Sequence, residues 1–188
     1  EGPVELEMGG IRQIQIEENA GLDFAKALRA TMRQDPDIIM LGEIRDSDTA
    51  QIAFQAALTG FLIFSTFHTF NVPGLVIRLI EMGGPRSVVA YALAGVISTR
   101  LGRKICPSCA APYQLSDFEK KVLGGGERGR NFKKGTGCEH CHKSGYLGRI
   151  GLFEVVEFDD ESRTRVIEER SSETLRAFFQ KKIKMVFE

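Results

Sequence analysis

The sequence has no tryptophan and no net charge, since 25 lysines and arginines balance 25 aspartates and glutamates. That balance excludes a global field that would draw the chain onto nucleic acid or an acidic membrane, leaving only local basic clusters. No apolar run is long enough to span a bilayer. The longest, SVVAYALAGVIST at residues 87 to 99, falls short of the roughly 18 to 20 residues needed, and Arg100, Arg103 and Lys104 follow at once. It reads as a buried helix. The opening EGPVELEMGG has no basic stretch leading into an apolar core, so no signal peptide is read there. It does not start with Met, and a piece cut from a longer chain is expected. None of the 20 glycines is followed by lysine, which excludes the phosphate-cradling loop G-x-x-x-x-G-K-[ST]. Cysteine is scarce. Four residues in a chain without a signal peptide point to a reducing compartment and a metal, not to a secreted disulfide scaffold.

What remains is an ordinary globular composition, 43% hydrophobic and 27% charged over 188 residues, suited to one domain or one plus a small appendage. Residues 1 to 18 read as extended, with Ile11, Ile14 and Ile16 loosely alternating in GIRQIQIEE. A helix follows, carried by Phe24, Ala27, Leu28 and Met32 at helical spacing and stopped by Pro36. IIML is a short buried strand, DSDTAQIAFQAALTG a helix capped by Asp46 or Ser47 and ended by Gly60, and FLIFSTF a second apolar strand. Strand, helix and strand with short joints, the strands apolar throughout, predict a parallel sheet covered on both faces, doubly wound. Helices are expected over about 73 to 82 and 86 to 103. Beyond Cys106 the chain turns rich in Gly and Lys, with a short helix near 116 to 123 and a flexible loop at GGGERG. RIGLFEVVEF reads as a strand, and helices over about 159 to 169 and 172 to 183 close the chain.

Cys106-x2-Cys109, a 28-residue insert and Cys138-x2-Cys141 form the strongest chemical signal. Each C-x-x-C lets one tight turn present two thiolates to one ion, and two such knuckles complete a closed tetrahedral zinc site, structural because no position stays open. His140 and His142 flank the last cysteine as alternative ligands. Free thiols, two disulfides or an iron–sulfur cluster use the same residues. RNFKK between the pairs is basic, as a nucleic-acid contact or merely as a solvated loop.

IIMLGEIRD places Glu43 just past a buried run, with Arg45 and Asp46 after it. Carboxylates at the carboxyl end of a parallel strand stand where open α/β sheets bind ligands. One there can hold Mg²⁺ through water or orient a water for transfer of a γ-phosphoryl group. A surface turn with Asp46 as a helix cap accounts for the same residues. The next strand ends STFHTFN, which brings Ser65, Thr66, His68 and Thr69 to the same sheet edge. His68 there is a phosphate contact, a proton carrier or a hydrogen-bonded structural residue.

RATMRQDPDIIMLGEIRD, ALTGFLIFSTFHT, VISTRLGRKICPSC and GCEHCHKSGYLGRIGLFEVVE together resemble the secretion ATPases of type II secretion and type IV pilus extension, in order over nearly the whole chain. The resemblance implies a RecA-like α/β core, a parallel sheet portion covered by helices, over 1–103. It implies a tetracysteine zinc-binding subdomain over 104–150 and a closing strand with C-terminal helices over 151–188. DPDIIMLGEIRD is similar to that family's atypical Walker B segment, which makes Glu43 the base or water-positioning residue, with Arg45 and Asp46 close to the nucleotide. TGFLIFSTFHT resembles its histidine box, which implies His68 near the γ-phosphate. EGPVE resembles its aspartate box, normally Glu-Asp-Pro-x-Glu, leaving Glu1 and Glu5 as catalytic carboxylates with Gly2 in the aspartate's place. Phe61 stands where the histidine box often carries a second His. The P-loop of that family lies upstream of the aspartate box, so the chain is expected to begin just after it and to bind nucleotide weakly by itself.

The further implications are ATP with Mg²⁺ in the complete protein, a hexamer, inner-membrane platform partners and a cytoplasmic location peripheral to that membrane. The rival expectation is a non-enzymatic, zinc-stabilised scaffold or nucleic-acid-binding module, revealed by salt-sensitive retention on heparin.

Overall fold

The computed structural model describes residues 1–124 and 130–187. The chain divides into two compact units, Glu1–Ser98 with Val155–Lys184, and Thr99–Glu154 with Met185–Glu188.

In the first unit, α1 (Phe24–Met32) starts where the Asp23 side chain accepts from the Lys26 amide at 2.7 Å. It buries Phe24, Ala25, Ala27 and Leu28, the face that the apolar spacing marks. Strand β1 (Ile38–Glu43) follows, then α2 (Ser47–Leu58), capped by Asp46, whose carboxylate takes the Thr49 amide and hydroxyl at 2.8 and 2.9 Å. Strand β2 (Leu62–Thr66) pairs with β1 in parallel, from Ile38 opposite Leu62 to Leu41 opposite Ser65. Helices α3 (Val72–Glu81) and α4 (Arg86–Ala92) come next. Helices α6 (Asp160–Glu168) and α7 (Ser172–Lys182) close the unit, with Phe158 and Phe179 buried 5.3 Å apart between ring centres. One apolar core runs from Phe24 through Leu41, Val76 and Val89 to Phe179.

The second unit contains most of β3 (Gly95–Ile105), a short β4 (Ala110–Pro112), α5 (Asp117–Leu123), β5 (Lys133–Gly135) and most of β6 (Tyr146–Glu157). Strands β4 and β5 are antiparallel, and β7 (Lys184–Phe187) completes a three-stranded sheet of order β3-β6-β7. Helix α5 carries a full capping box from Ser116 and Glu119. The GGGERG stretch, from Gly125 on, lies outside the described residues.

Three expectations from the sequence are corrected. Residues 1 to 18 hold no strand, only an isolated bridge between Glu17 and Leu22. The alternating isoleucines find no ladder, and glutamine side chains hold the segment instead: Gln13 takes the Met8 amide at 2.7 Å and gives to the Leu6 carbonyl at 2.9 Å. The helix expected over 86 to 103 stops at Ala92, and the chain continues as β3. Val96, Ile97 and Thr99 are β-branched, and Gly95 passes so close to the Val156 carbonyl that a Cβ would lie 3.2 Å from it, so strand pairing overrides the apolar run. Among the described residues the parallel sheet is two-stranded and covered on one face. Ile39 and Leu41 are buried, whereas Ile38, Met40, Leu62 and Phe64 are 59, 54, 44 and 54% exposed, because the described helices pack only against the Ile39 side.

Helices α6 and α7 are tied by Lys182, which gives to both Asp159 oxygens at 2.6 Å and reaches Glu161 at 2.9 Å. Lys182, followed by Ser162, holds the Asp159 carboxyl well below the usual carboxylate range. Burial opposes the Lys182 charge, but hydrogen bonds to Asp159 and Glu161 outweigh it and raise its pKa. The Asp159 contribution is therefore present above the ordinary aspartate value and lost as pH falls through the depressed one. The Lys182 contribution is full below the ordinary lysine value and lost only as pH rises through the raised one. Lys182→Met should lower the melting temperature by a constant amount across neutral pH, and the difference should shrink in strong acid. Phe179→Ala should cost about 3–5 kcal/mol in denaturant unfolding, as a buried aromatic truncation does.

Candidate functional site

The parallel register decides where the polar residues go. The pairing slips between Leu41 and Glu43, so that Gly42 is passed over and Glu43 stands opposite Thr66. The Thr66 hydroxyl fills the slip by donating to the Gly42 carbonyl at 2.7 Å. Both strands then end at one level, and their loops open onto a cleft of about 510 Å³. Glu43 and Arg45 line it from β1, and Thr66, His68 and Thr69 from β2. The far wall is α3, contributing Asn71, Gly74, Arg78 and Glu81. Asn71 caps α3, accepting the Gly74 amide at 2.9 Å.

Glu43 is the more enclosed of the charged groups, its side chain 20% exposed, and it accepts from Arg45 at 2.5 Å. The Arg45 guanidinium holds the Glu43 carboxyl below its ordinary value, against partial burial, and His68 adds to the effect. Glu43 is thus an ionised acceptor at neutral pH.

The other carboxylates singled out in the sequence are placed differently. Asp46 does not line the cleft, and both its oxygens are engaged by Thr49. Glu1 lies against Gly42, where an added Cβ would meet the Glu1 Cα at 3.6 Å, and its amino group donates to the Ile14 carbonyl at 2.9 Å. Glu5 is exposed and outside the cleft. Ser65 faces inward, its hydroxyl buried and without a hydrogen-bond partner among the described residues. The α3 wall was not foreseen as part of the site. The local signal for it is Asn71, three residues before Gly74, a helix-capping spacing.

In the second unit the four cysteines converge. Their sulfur atoms all lie within 4.8 Å of one another, with Cys106–Cys138 at 3.8 Å, Cys109–Cys141 at 3.9 Å and Cys138–Cys141 at 3.7 Å. A tetrahedron of thiolates about 2.3 Å from a zinc ion has its sulfurs about 3.8 Å apart, so the set fits a metal of that size. No pair is joined as a disulfide. The β4–β5 pair, Ala110 opposite Gly135, brings the two knuckles together. Backbone amides point at the sulfurs: Cys138 N and Gly145 N both donate to Cys141 Sγ at 3.2 Å. These bonds, from Cys138 first and then, against burial, from Gly145, lower the Cys141 thiol to about 6. Burial instead pushes Cys109 up to about 11. The second knuckle needs left-handed backbone at His142 and Lys143, with φ of 47° and 62°. His140 and His142 do not join the cluster. Gly135 and Gly145 pass so closely that a Cβ on Gly135 would collide with the Gly145 carbonyl. Gly135→Ala should therefore lose retained metal on dialysis, as measured by elemental analysis, while the wild type keeps it.

The chain belongs to the family described as Type II/IV secretion system protein, which matches residues 1–188. It is similar to type II secretion system protein E of Pseudomonas aeruginosa, 41% identical over 93% of this chain and 35% of that protein. It is also similar to the type IV pilus assembly ATPase PilB of Thermus thermophilus, 44% identical over 97% of this chain and 21% of that one. The chain thus spans about a third or less of these relatives' length. Two solved structures share its α/β fold: the pilus retraction motor PilT with bound ADP, at TM-score 0.65 and 24% identity, and the ATPase DotB of Legionella pneumophila, at 0.62 and 23%. Each is covered by 97% of this chain, which in turn covers 44% and 43% of them.

Proposed function

We propose that this chain is the catalytic-side half of a nucleotide site in a motor ATPase that powers type II secretion or type IV pilus assembly. One observation carries the reading: in a chain of this family, Glu43 and His68, at the ends of adjacent parallel strands, line one cleft. In this reading Glu43 orients the attacking water. The water oxygen bonds to the γ-phosphorus, the bond to the bridging oxygen of ADP breaks, and the released proton goes to Glu43. His68 lies beside the transferred group, and Arg45 near it. Asp46 serves the fold through its cap. Glu1 and Glu5 bear on the site only through the segment that precedes β1.

The phosphate-cradling loop belongs to the residues that the longer relatives carry upstream, and ATP with Mg²⁺ is the substrate of the complete protein. The uncovered face of Ile38, Met40, Leu62 and Phe64 is where residues upstream of this chain would pack. The tetracysteine set, within 104–150, binds zinc and braces its unit without chemistry of its own. A hexamer acting on an inner-membrane platform from the cytoplasm completes the proposal. Residues 99 to 154 carry eleven lysines and arginines against five acids, which suits an acidic partner surface. No helix among the described residues is long and apolar enough to cross a membrane.

In the full-length protein, Glu43→Gln should abolish ATP turnover while ATP still binds. Normal turnover by that variant would remove Glu43 from its role. Zinc removal by chelation, or Cys106→Ser, should release the amides of residues 104 to 150 to hydrogen exchange first and leave the α/β unit protected. An unchanged exchange pattern after verified metal loss would contradict the bracing role.

A further inference from the structure

Two arrangements of the cleft charges are possible, because Arg45 has an anion at hand before any nucleotide arrives. Its guanidinium lies 2.5 Å from Glu43, yet its own side chain is 62% exposed, while that of Glu43 is 20% exposed. The pair is therefore asymmetric: a carboxylate held in the wall and a cation on a flexible stem open to the cleft. The remaining titratable groups facing them are His68 after β2, and Arg78 with Glu81 across the cleft on α3. Those two pair with each other at 3.7 Å. Glu18 adds a weaker pull on Arg45. Among the described residues no other lysine or arginine lines the β1–β2 side of the cleft.

A carboxylate clamped by a guanidinium is a poor partner for water. The Oε1 atom is occupied, and its basicity is reduced by the charge beside it. A terminal phosphate entering the cleft is a stronger competitor for Arg45, since it offers several charged oxygens in a geometry the planar guanidinium matches.

We propose that Arg45 serves two anions in turn, parking Glu43 while the cleft holds no terminal phosphate and moving to the phosphate when it arrives, which frees Glu43 to orient the attacking water. The proposal rests on the ATPase reading of the cleft. It makes Arg45 a catalytic residue toward the phosphate and a positioning residue toward Glu43. It also explains why the cation is the more exposed partner: the group that must stay aligned with water is the one set in the strand end.

Competition for one guanidinium has a signature in binding, apart from turnover. In the full-length protein, ADP and the non-hydrolysable triphosphate adenylyl imidodiphosphate are the probes, read by calorimetry. Arg45→Ala should weaken the triphosphate analogue about tenfold, the worth of a lost charge-assisted hydrogen bond, and leave ADP unchanged. Glu43→Gln should tighten the analogue several-fold, because Arg45 is no longer held, and the double variant should lose that gain. In turnover, Arg45→Ala should cut kcat by about 10²–10³-fold, as removal of one transition-state donor does. Added guanidinium should restore part of that loss, and Arg45→Lys should fall between the two.

Equal weakening of ADP and the analogue, or a Glu43→Gln gain that survives in the double variant, overturns the proposal. So does wild-type turnover by Arg45→Ala. In each of those cases an inactive Glu43→Gln leaves the ATPase reading standing. If Glu43→Gln itself turns over normally, that reading falls first. Arg45→Gln, which keeps a polar head and fills similar space, guards against a folding artefact and should behave as Arg45→Ala does.

Discussion

The parallel register of β1 and β2 is the constraint on which the cleft depends. Two strands paired from Ile38 and Leu62 onward must end together, and the slip at Gly42 adjusts that ending by one residue. Without the slip Glu43 would be carried to the opposite face of the sheet, since side chains alternate. The Thr66 hydroxyl on the Gly42 carbonyl fixes the irregularity by satisfying a backbone group that the ladder leaves out. A single hydroxyl on one strand thus sets the direction of a carboxylate on the next.

The second unit solves a different problem. Among its described residues the only buried apolar side chains are Cys106 and Cys141, so there is almost no hydrocarbon core to hold it. Small units of this kind depend on a metal or a disulfide, and here four sulfurs at metal spacing stand where a core would be. The local backbone is built around that requirement. Glycine at 135 and 145 allows close chain approach, and left-handed turns at His142 and Lys143 aim amides at sulfur.

The sequence displayed these features unequally. The helices from α1 to α3, and α5 to α7, were legible because apolar spacing and marks such as the Asp46 cap and the stops at Pro36 and Gly60 are local signals. The cysteine knuckles were legible because their chemistry is carried by spacing alone. The switch from α4 into β3 was not, since SVVAYALAGVIST is apolar throughout and offers no period to separate helix from strand. Only the pairing with β6 decides it. The opening segment failed in reverse, with a strand-like pattern that has no partner to pair with. In the cleft, the ends of β1 and β2 could be anticipated from two apolar runs, while the α3 wall depends on how the loop after His68 folds back. Asp46 could be read as either ligand or cap, and the structure shows the cap, with Thr49 one turn on donating to both its oxygens.

Two arginines in the first unit differ in burial and in partners, and so in how firmly each is held. Arg86, part-buried, gives one nitrogen to the carbonyls of Val166 and Glu169 at 3.0 and 2.6 Å. Those carbonyls belong to the last turn of α6 and its end, where a helix presents partial negative charge, so Arg86 joins α4 to α6 and satisfies groups that the helix leaves open. Its removal would strand buried acceptors, and no incoming anion could draw it away at small cost. Arg45, itself largely exposed, is bound to one carboxylate in the cleft wall, and exposed ion pairs contribute little to stability. A cation in such a pair can change partners with little loss to the fold, and the proposed exchange draws on that difference in environment, not on the residue type.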